Sequence, residues 1–480
     1  MKIKLHPQSS AQGGVMTVTL LTALIIGFAL ASYLSLVSSQ NISTMRSLAW
    51  NSAVPILEAG VEDALTHLKY HGITNLSADN WTPTSQYGGA GYLKTRHLGQ
   101  SYYEVFILPM SPPQTPQIFS TGYVPAPLAP ASTIGMILGA VTYGEGQEGS
   151  ENFMIRRRVL VNTKKEALFA KAMVAEGQIN LMGNNITTDS FNSMDPATGG
   201  TYPNPATNPN LISDAGDVAT NLELINSLSM GNADIMGHVS TGPGGTISIG
   251  PQGVAGSKPW VQSGTHNGQI QPTWSADDMN VDFPPVAIPS TTSSVSYGNY
   301  NIGSPIGTNY NFVLGNGSYQ VIGSGGFKGN VLVQGNAVLY VPSGSSLSFS
   351  GQDKIVIAPG ATLKLFVGCT TASWSGQASI VNENISKPAT GDVGALHFQY
   401  YGLPTNTQLD MTGNASFTGA IYAPSANLKL GGGGSNDYDL VGSTVTKTVT
   451  MNGHMNFHYD EALKDKGPAL GYVVTAWNEL

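Results

Sequence analysis

The chain has 480 residues, with 29 acidic and 21 basic side chains, a net charge of −8 and only 10% charged residues. A charge-poor, net-negative chain excludes a nucleic-acid binder held by phosphate contacts, and 41% hydrophobic residues exclude a disordered one. The 58 glycines exceed the usual ~7% but carry no period of three, which excludes collagen, and the single cysteine, Cys369, excludes an intrachain disulfide. A buried, inert thiol is the expectation for Cys369.

The first residues, 1–14, form a short basic leader with Lys2 and Lys4. No Asp, Glu, Lys or Arg follows until Arg46, and Val15–Val37 is a predominantly apolar run. A helix needs about 20 such residues to cross a bilayer, and the core of a cleaved secretory signal is shorter. Residues 15–37 are therefore predicted as a transmembrane helix. The positive charge ahead of it predicts a cytoplasmic N-terminus and an extracytoplasmic remainder, a single-helix anchor in the inner membrane. Beyond it, Ile42, Met45, Ala49, Ala53, Ile56, Gly60, Ala64 and Leu68 recur at spacings of three and four, one face of a helix. A single helix over 15–71 would be about 85 Å long, and Pro55 is expected to kink or break it.

These two stretches carry a resemblance. "AQGGVMTVTLLTALIIGFALASYLSL" resembles the start of type IV pilin-like proteins, where a prepilin peptidase removes a leader ending in glycine ahead of a hydrophobic helix. "RSLAWNSAVPILEAGVEDALTHL" resembles the segment that follows in PilX-type pilus assembly proteins. The resemblance implies cleavage after Gly13 or Gly14, next to Val15, and association with other pilin-like subunits. It departs at Thr19, where major pilins carry a glutamate. The alternative is an uncleaved anchor that joins no filament.

Residues 38–165 are expected to hold the rest of the amphipathic helix and a pilin-like β-sheet, from "SYYEVFIL", "QIFSTGYV" and "NFMIRRRVLVNT". In the last, Arg156, Arg157 and Arg158 read as polar strand positions. "KKEALFAKAMVAEGQI" reads as a short helix. From about Ile179 short apolar runs alternate with Gly, Asn and Ser turns, and Val331, Leu339, Leu347, Ile355 and Leu363 recur every eight residues. Three such strand-plus-corner units make a turn of about 24 residues, the period of a solenoid. The fold class expected is α+β followed by all-β: a long N-terminal helix with a small antiparallel sheet, then a right-handed parallel β-helix. A β-sandwich of short strands is the alternative. The first part of the β-helix is placed at 166–257, a Pro/Ser/Thr-rich excursion at 258–310, the main part with its cap at 311–463, and a tail at 464–480. "GNADIMGHVSTGPGGTISIG", "FTGAIYAPSANLKLGG" and "GSTVTKTVTMNGHMNFHYDEAL" resemble a C-terminal domain of bacterial surface or pilus-assembly proteins, a predicted right-handed β-helix of unassigned function.

Catalytic chemistry is not legible. No P-loop, GxSxG, CxxC or HExxH pattern occurs. In 320–450 the acids Asp353, Glu383, Asp392, Asp410, Asp437 and Asp439 are too scattered for the paired carboxylates of a glycoside hydrolase. "SADDMNVDF" lacks the alternation of a Ca²⁺ loop. The expectation is a non-enzymatic, membrane-anchored pilus-assembly or minor-pilin-like protein without cofactor, displaying a surface module toward a glycan or an envelope protein. A β-helix lyase or hydrolase on an anchor, and a purely structural envelope protein, are the other readings. The densest polar stretch, "NGHMNFHYDEAL", is expected to close the solenoid. Met455 and Phe457 would face the core, and His454 and His458 the other side. Tyr459 follows, Asp460 would be a helix N-cap, and Glu461 would stand in the first turn.

Overall fold

The computed structural model describes residues 11–72, 76–110, 115–126, 154–183, 185–302, 308–382, 393–413, 417–432 and 438–480. The leader up to residue 10, and Glu383, Asp392 and Asp437, lie outside the described residues. The chain forms two compact units. One comprises the residues up to Glu166 together with Gly471–Leu480, the other Ala167–Leu470.

The first unit begins with α1, Ala11–His71. Its far half lies on an antiparallel meander of β1 (Thr82–Gln86), β2 (Gly89–Leu98), β3 (Ser101–Leu108), β4 (Gln117–Pro125) and β5 (Met154–Ala167). Period-two alternation sends Tyr103, Val105 and Ile107 of β3, Ile118 of β4, and Val159 and Val161 of β5 to one face. There they meet Leu57, Val61, Ala64 and Leu68 of α1. The opposite face carries Phe106 and Phe119, covered by Tyr87, which stacks on Phe119 at 4.1 Å. Arg158 lies 5.2 Å over the Tyr87 ring.

The helix runs unbroken through Pro55, so the expected break does not occur. Pro55 is exposed, while Ala53 and Leu57 on the opposite side are buried. One missing hydrogen bond costs about 3 kcal/mol in a helix interior, and the packed seam offsets it. Close approach depends on two glycines. A Cβ on Gly122 of β4 would stand 2.6 Å from the Ala53 carbonyl oxygen and 2.8 Å from the Leu57 nitrogen, and one on Gly60 would overlap the Ser120 hydroxyl. With that space free, Ser120 Oγ donates to the Leu57 carbonyl at 2.7 Å.

Residues 464–480 are not a tail. Ala469–Glu479 is a strand next to β5 and completes a six-stranded sheet. Arg157 holds Glu479 through two hydrogen bonds of 2.7 Å, and Thr475 Oγ1 donates to the Asn162 carbonyl at 3.1 Å. The second unit is thus inserted, in sequence, between the last two strands of the first unit's sheet.

The second unit is a stack of short parallel strands. Val331 pairs with Ile355, and Ile355 with Ile380, so each turn of about 25 residues rests on the previous one. All five residues of the eight-residue series are buried. One pairing column runs through Leu347, Ala372, Leu409, Leu428 and Val449, each beside the next. It continues through Ile179, Leu228 and Ile247. The column therefore passes from the end of the chain to its beginning. The first turn lies in the middle of the stack, and the chain builds outward from there to Ser275–Ala276, which pairs with Val239–Ser240. It then restarts at the far end with Ser293–Ser296, paired among the described residues only to Gly317–Ile322, and builds back to the middle. Aromatic rings follow the same axis: Phe312, Phe327, Phe349 and Trp374 contact one another in sequence at 5.0, 5.2 and 5.6 Å.

Two further expectations change. "KKEALFAKAMVAEGQI" is strand rather than helix: Lys164–Ala167 extend β5, and Met173–Ala175 form a strand of the stack. Phe169 and Ala172–Ala175 are all buried. Burial on successive residues suits a strand of a covered parallel sheet and outweighs helix propensity. The excursion at 258–310 is also smaller than expected. Gln269–Ile270, Ser275–Ala276 and Ser293–Ser296 all pair within the stack, which leaves 277–292 as the connection between its two ends. That connection is fastened along the side: Met279 and Phe283 are buried, Asn221 bonds both main-chain groups of Val281, and Tyr422 donates to the Pro284 carbonyl at 2.6 Å.

Replacing Gly122 with Ala is expected to destabilise the first unit by about 1–3 kcal/mol, the usual cost of overpacking. Hydrogen exchange should quicken in the 53–68 part of α1 and stay unchanged in the stack. Unchanged exchange in α1 would refute the close helix–strand contact.

Candidate functional site

In the first unit the near half of α1 is an unpartnered apolar surface. Apolar side chains there are exposed all round the helix: Val15 66%, Leu20 67%, Ile26 66% and Phe28 68%. A window of this helix reaches a mean hydropathy of 2.2, with none of it buried, so by length and composition it is able to cross a membrane. A helix apolar on every side belongs in lipid or among like helices. Its threonines bond within the helix. Thr19 Oγ1 donates to the carbonyls of Val15 and Met16, both at 3.0 Å, and Thr22 Oγ1 to those of Val18 and Thr19 at 2.9 and 3.0 Å. Gly13, Gly14 and Val15, the expected processing position, lie in the first turns of α1.

The expected cap lies elsewhere than at an end. Met455–Asp460 is a strand paired on both edges, with Tyr438–Gly442 on one side and Ile186–Phe191 on the other. It is an interior layer of the stack. Met455 and Phe457 are buried in the core, as the alternation required, and Tyr459 is buried with its hydroxyl donating to the Phe169 carbonyl at 2.8 Å. Asp460 Oδ1 accepts from the main-chain N–H groups of Ser193 (3.1 Å) and Ala462 (3.2 Å). It thereby serves the first turn of the short helix Ala462–Lys466, although Glu461 occupies the N-cap position. Burial raises the Asp460 pKa above the ordinary carboxylate value. Glu461 accepts instead from the Ser190 hydroxyl at 2.7 Å.

The two histidines of this stretch part company. His454 Nδ1 pairs with the Asn185 amide at 3.1 Å near the surface. His458 is buried, with Nδ1 2.6 Å from Asp189 Oδ1. Tyr202, from the loop 192–209, stacks on the His458 ring at 3.5 Å and donates to Asp189 Oδ2 at 2.6 Å. The strand pattern showed His458 opposite the core residues, but not that a loop some 250 residues earlier would cover it; only the tertiary pairing of His458 with Asp189 reveals that. Tyr202 covers the buried histidine–carboxylate pair. Chemically it orders the layer and satisfies buried polar groups.

Cys369 is buried, its thiol donating to the Thr371 carbonyl, and burial pushes its pKa up to about 11. A thiol so protonated is a poor nucleophile. Asp277 and Asp278 lie in exposed chain beyond Ser275–Ala276.

Comparison with known proteins adds a partial correspondence. Residues 295–466 match a domain family described only as a domain of unknown function, DUF7305. No curated protein matches. Among solved structures, the competence-associated pilin ComZ from Thermus thermophilus aligns over 91% of this chain and 97% of its own, at 9% identity and a TM-score of 0.20. An overlap this slight carries no weight for the fold.

Replacing His458 with Ala leaves the buried Asp189 carboxylate without its ring partner and is expected to cost about 3–5 kcal/mol. Thermal unfolding of the stack should shift down accordingly, with no change in metal content. Loss of a bound metal with unaltered stability would overturn the structural role.

Proposed function

We propose that this chain is a non-enzymatic, membrane-anchored, pilin-like subunit that carries a surface module inserted into its sheet. The observation behind this reading is the division of α1. One half is apolar and exposed on every side; the other continues without a break as a seam packed on an antiparallel sheet. Lipid receives the first half before assembly, and a bundle of like helices receives it afterwards. PilX-type assembly proteins are the family whose sequence pattern best fits the segment. Processing after Gly13 or Gly14 frees the helix for that exchange, and the first charge after the leader, Arg46, keeps the apolar stretch clear of unpaired charge.

The parallel stack is read as a right-handed β-helix. In support are the turns of near-constant length, the continuous inward columns and the stacked aromatic rings. Displayed outside the inner membrane, at the cell surface or on a pilus, it would serve adhesion or contacts with a glycan or envelope protein. Its charge-poor surface suits a partner bound by shape and hydrogen bonding.

Mass spectrometry of the protein from envelope fractions is expected to find the mature N-terminus at Gly14 or Val15. Cysteines placed singly at exposed positions of α1 such as Leu24, with Cys369 buried and silent, should crosslink to other pilin-like subunits. An intact Met1 together with no crosslinked partner would reduce the protein to a plain anchor.

A further inference from the structure

The far end of α1 gathers three side chains that anchoring and assembly leave without a role. His67 and His71 stand one helical turn apart in the last turns of the helix. Gly72, at φ 63°, donates to the Leu68 carbonyl at 3.0 Å and turns the chain off the helix axis. Leu76 is buried in the first unit's core, and the turn that follows holds Asp79 and Asn80 at φ of 57° and 66°. Left-handed backbone is uncommon outside glycine, although Asp and Asn tolerate it best. The turn directs the Asp79 carboxylate back at the helix end. Its Oδ2 lies 2.7 Å from His71 Nε2 and 3.5 Å from His67 Nδ1. All three donor atoms fall within 4.8 Å of one another.

His67 is the independent sign of a ligand. It occupies the seam of α1 that faces the sheet and is 4% exposed. Its ring stacks on the buried Trp81 at 5.0 Å, which fixes its orientation. Neither ring nitrogen makes a well-formed hydrogen bond, and Nδ1 has only a long contact of 3.5 Å to the Asp79 carboxylate. A buried polar group left so is costly. The Lys94 ammonium above Trp81 is neutralised by Asp63 at 3.0 Å, so it does not oppose a cation here.

We propose that His67, His71 and Asp79 bind a divalent transition-metal ion of the Zn²⁺ class. Two imidazoles and one carboxylate suit Zn²⁺, Co²⁺, Ni²⁺ or Cu²⁺ rather than Ca²⁺ or Mg²⁺, which require mostly oxygen ligands. Asp79 and His71 are 59% and 31% exposed, so a fourth position opens to water. The ion joins the C-terminal end of α1 to the loop that leads into β1. It staples helix to sheet in the unit where the two meet, and it gives the buried His67 a full ligand bond.

The test uses the full-length, untagged protein in detergent, stripped with a chelator and titrated with Zn²⁺ by calorimetry and with Co²⁺ by visible absorption. The expected result is uptake of about one ion per chain, with the intense Co²⁺ bands of a four-coordinate site. His71→Ala and Asp79→Asn, both at partly exposed positions that leave the core intact, should each weaken binding by at least about tenfold. His266→Ala, a distant control in the second unit, should bind as the parent does. Absence of Zn²⁺ uptake, or equal affinity in the parent, His71→Ala and Asp79→Asn proteins, would overturn the proposal.

Discussion

The second unit depends on one junction, the parallel pairing of the last turn of chain with the first. Met455 lies beside Ile186 and Asp460 beside Phe191, while Thr444 lies beside Met173 and Val449 beside Ile179. Without these pairs the stack would be two separate half-stacks, each with an extra open edge in its middle. Unpaired strand edges recruit other chains. Here the two most central edges satisfy each other. The junction also explains why its layer is so polar in sequence: His458 and Tyr202 both bond Asp189, Ser190 donates to Glu461, and Asp460 accepts from the Ser193 and Ala462 main chain.

The same junction brings the two chain ends of the inserted unit into one region of the stack, so that an insertion of this length is compatible with a continuous host sheet. β5 leads into the stack and Ala469–Glu479 leads out of it, and the two are neighbours in the first unit's sheet. A solenoid built from one end to the other would leave its ends separated by the length of the stack. Building outward from the middle, crossing by 277–292 and returning avoids that separation. Domain insertion succeeds where the inserted ends lie close together.

Local patterns made much of this legible. The apolar stretch of α1, its packed seam, the strands Ser101–Leu108 and Gln117–Pro125, and the eight-residue series from Val331 to Leu363 all follow from local patterning. What failed to show was long-range. Nothing near Met455 announces that its partners are Ile186 and Tyr438, so a polar C-terminal stretch read as a lid. "ALGYVVTAWNE" has the composition of a strand, but its partner β5 lies over 300 residues earlier. Lys164–Ala175 carried helix-forming residues whose burial decided for strand. At the end of α1, "HLKYH" places two histidines at one-turn spacing, the first on the buried seam. That signal was available in the sequence, but only the return of Asp79 gives it chemical meaning.

The most direct measurement of the junction joins its two halves covalently. Thr187 and Asn456 are register partners across it, Thr187 Oγ1 donating to Asn456 Oδ1 at 2.6 Å, on adjacent strands whose backbones stand about 5 Å apart. Cysteines at both positions meet the distance a disulfide requires. Under mild oxidation, or with a short bis-thiol reagent, the double variant should yield a peptide linking residue 187 to residue 456, in the monomer and in high yield. Free thiols at both positions under both treatments, in protein that unfolds as the parent does, would contradict the junction and with it the architecture described here.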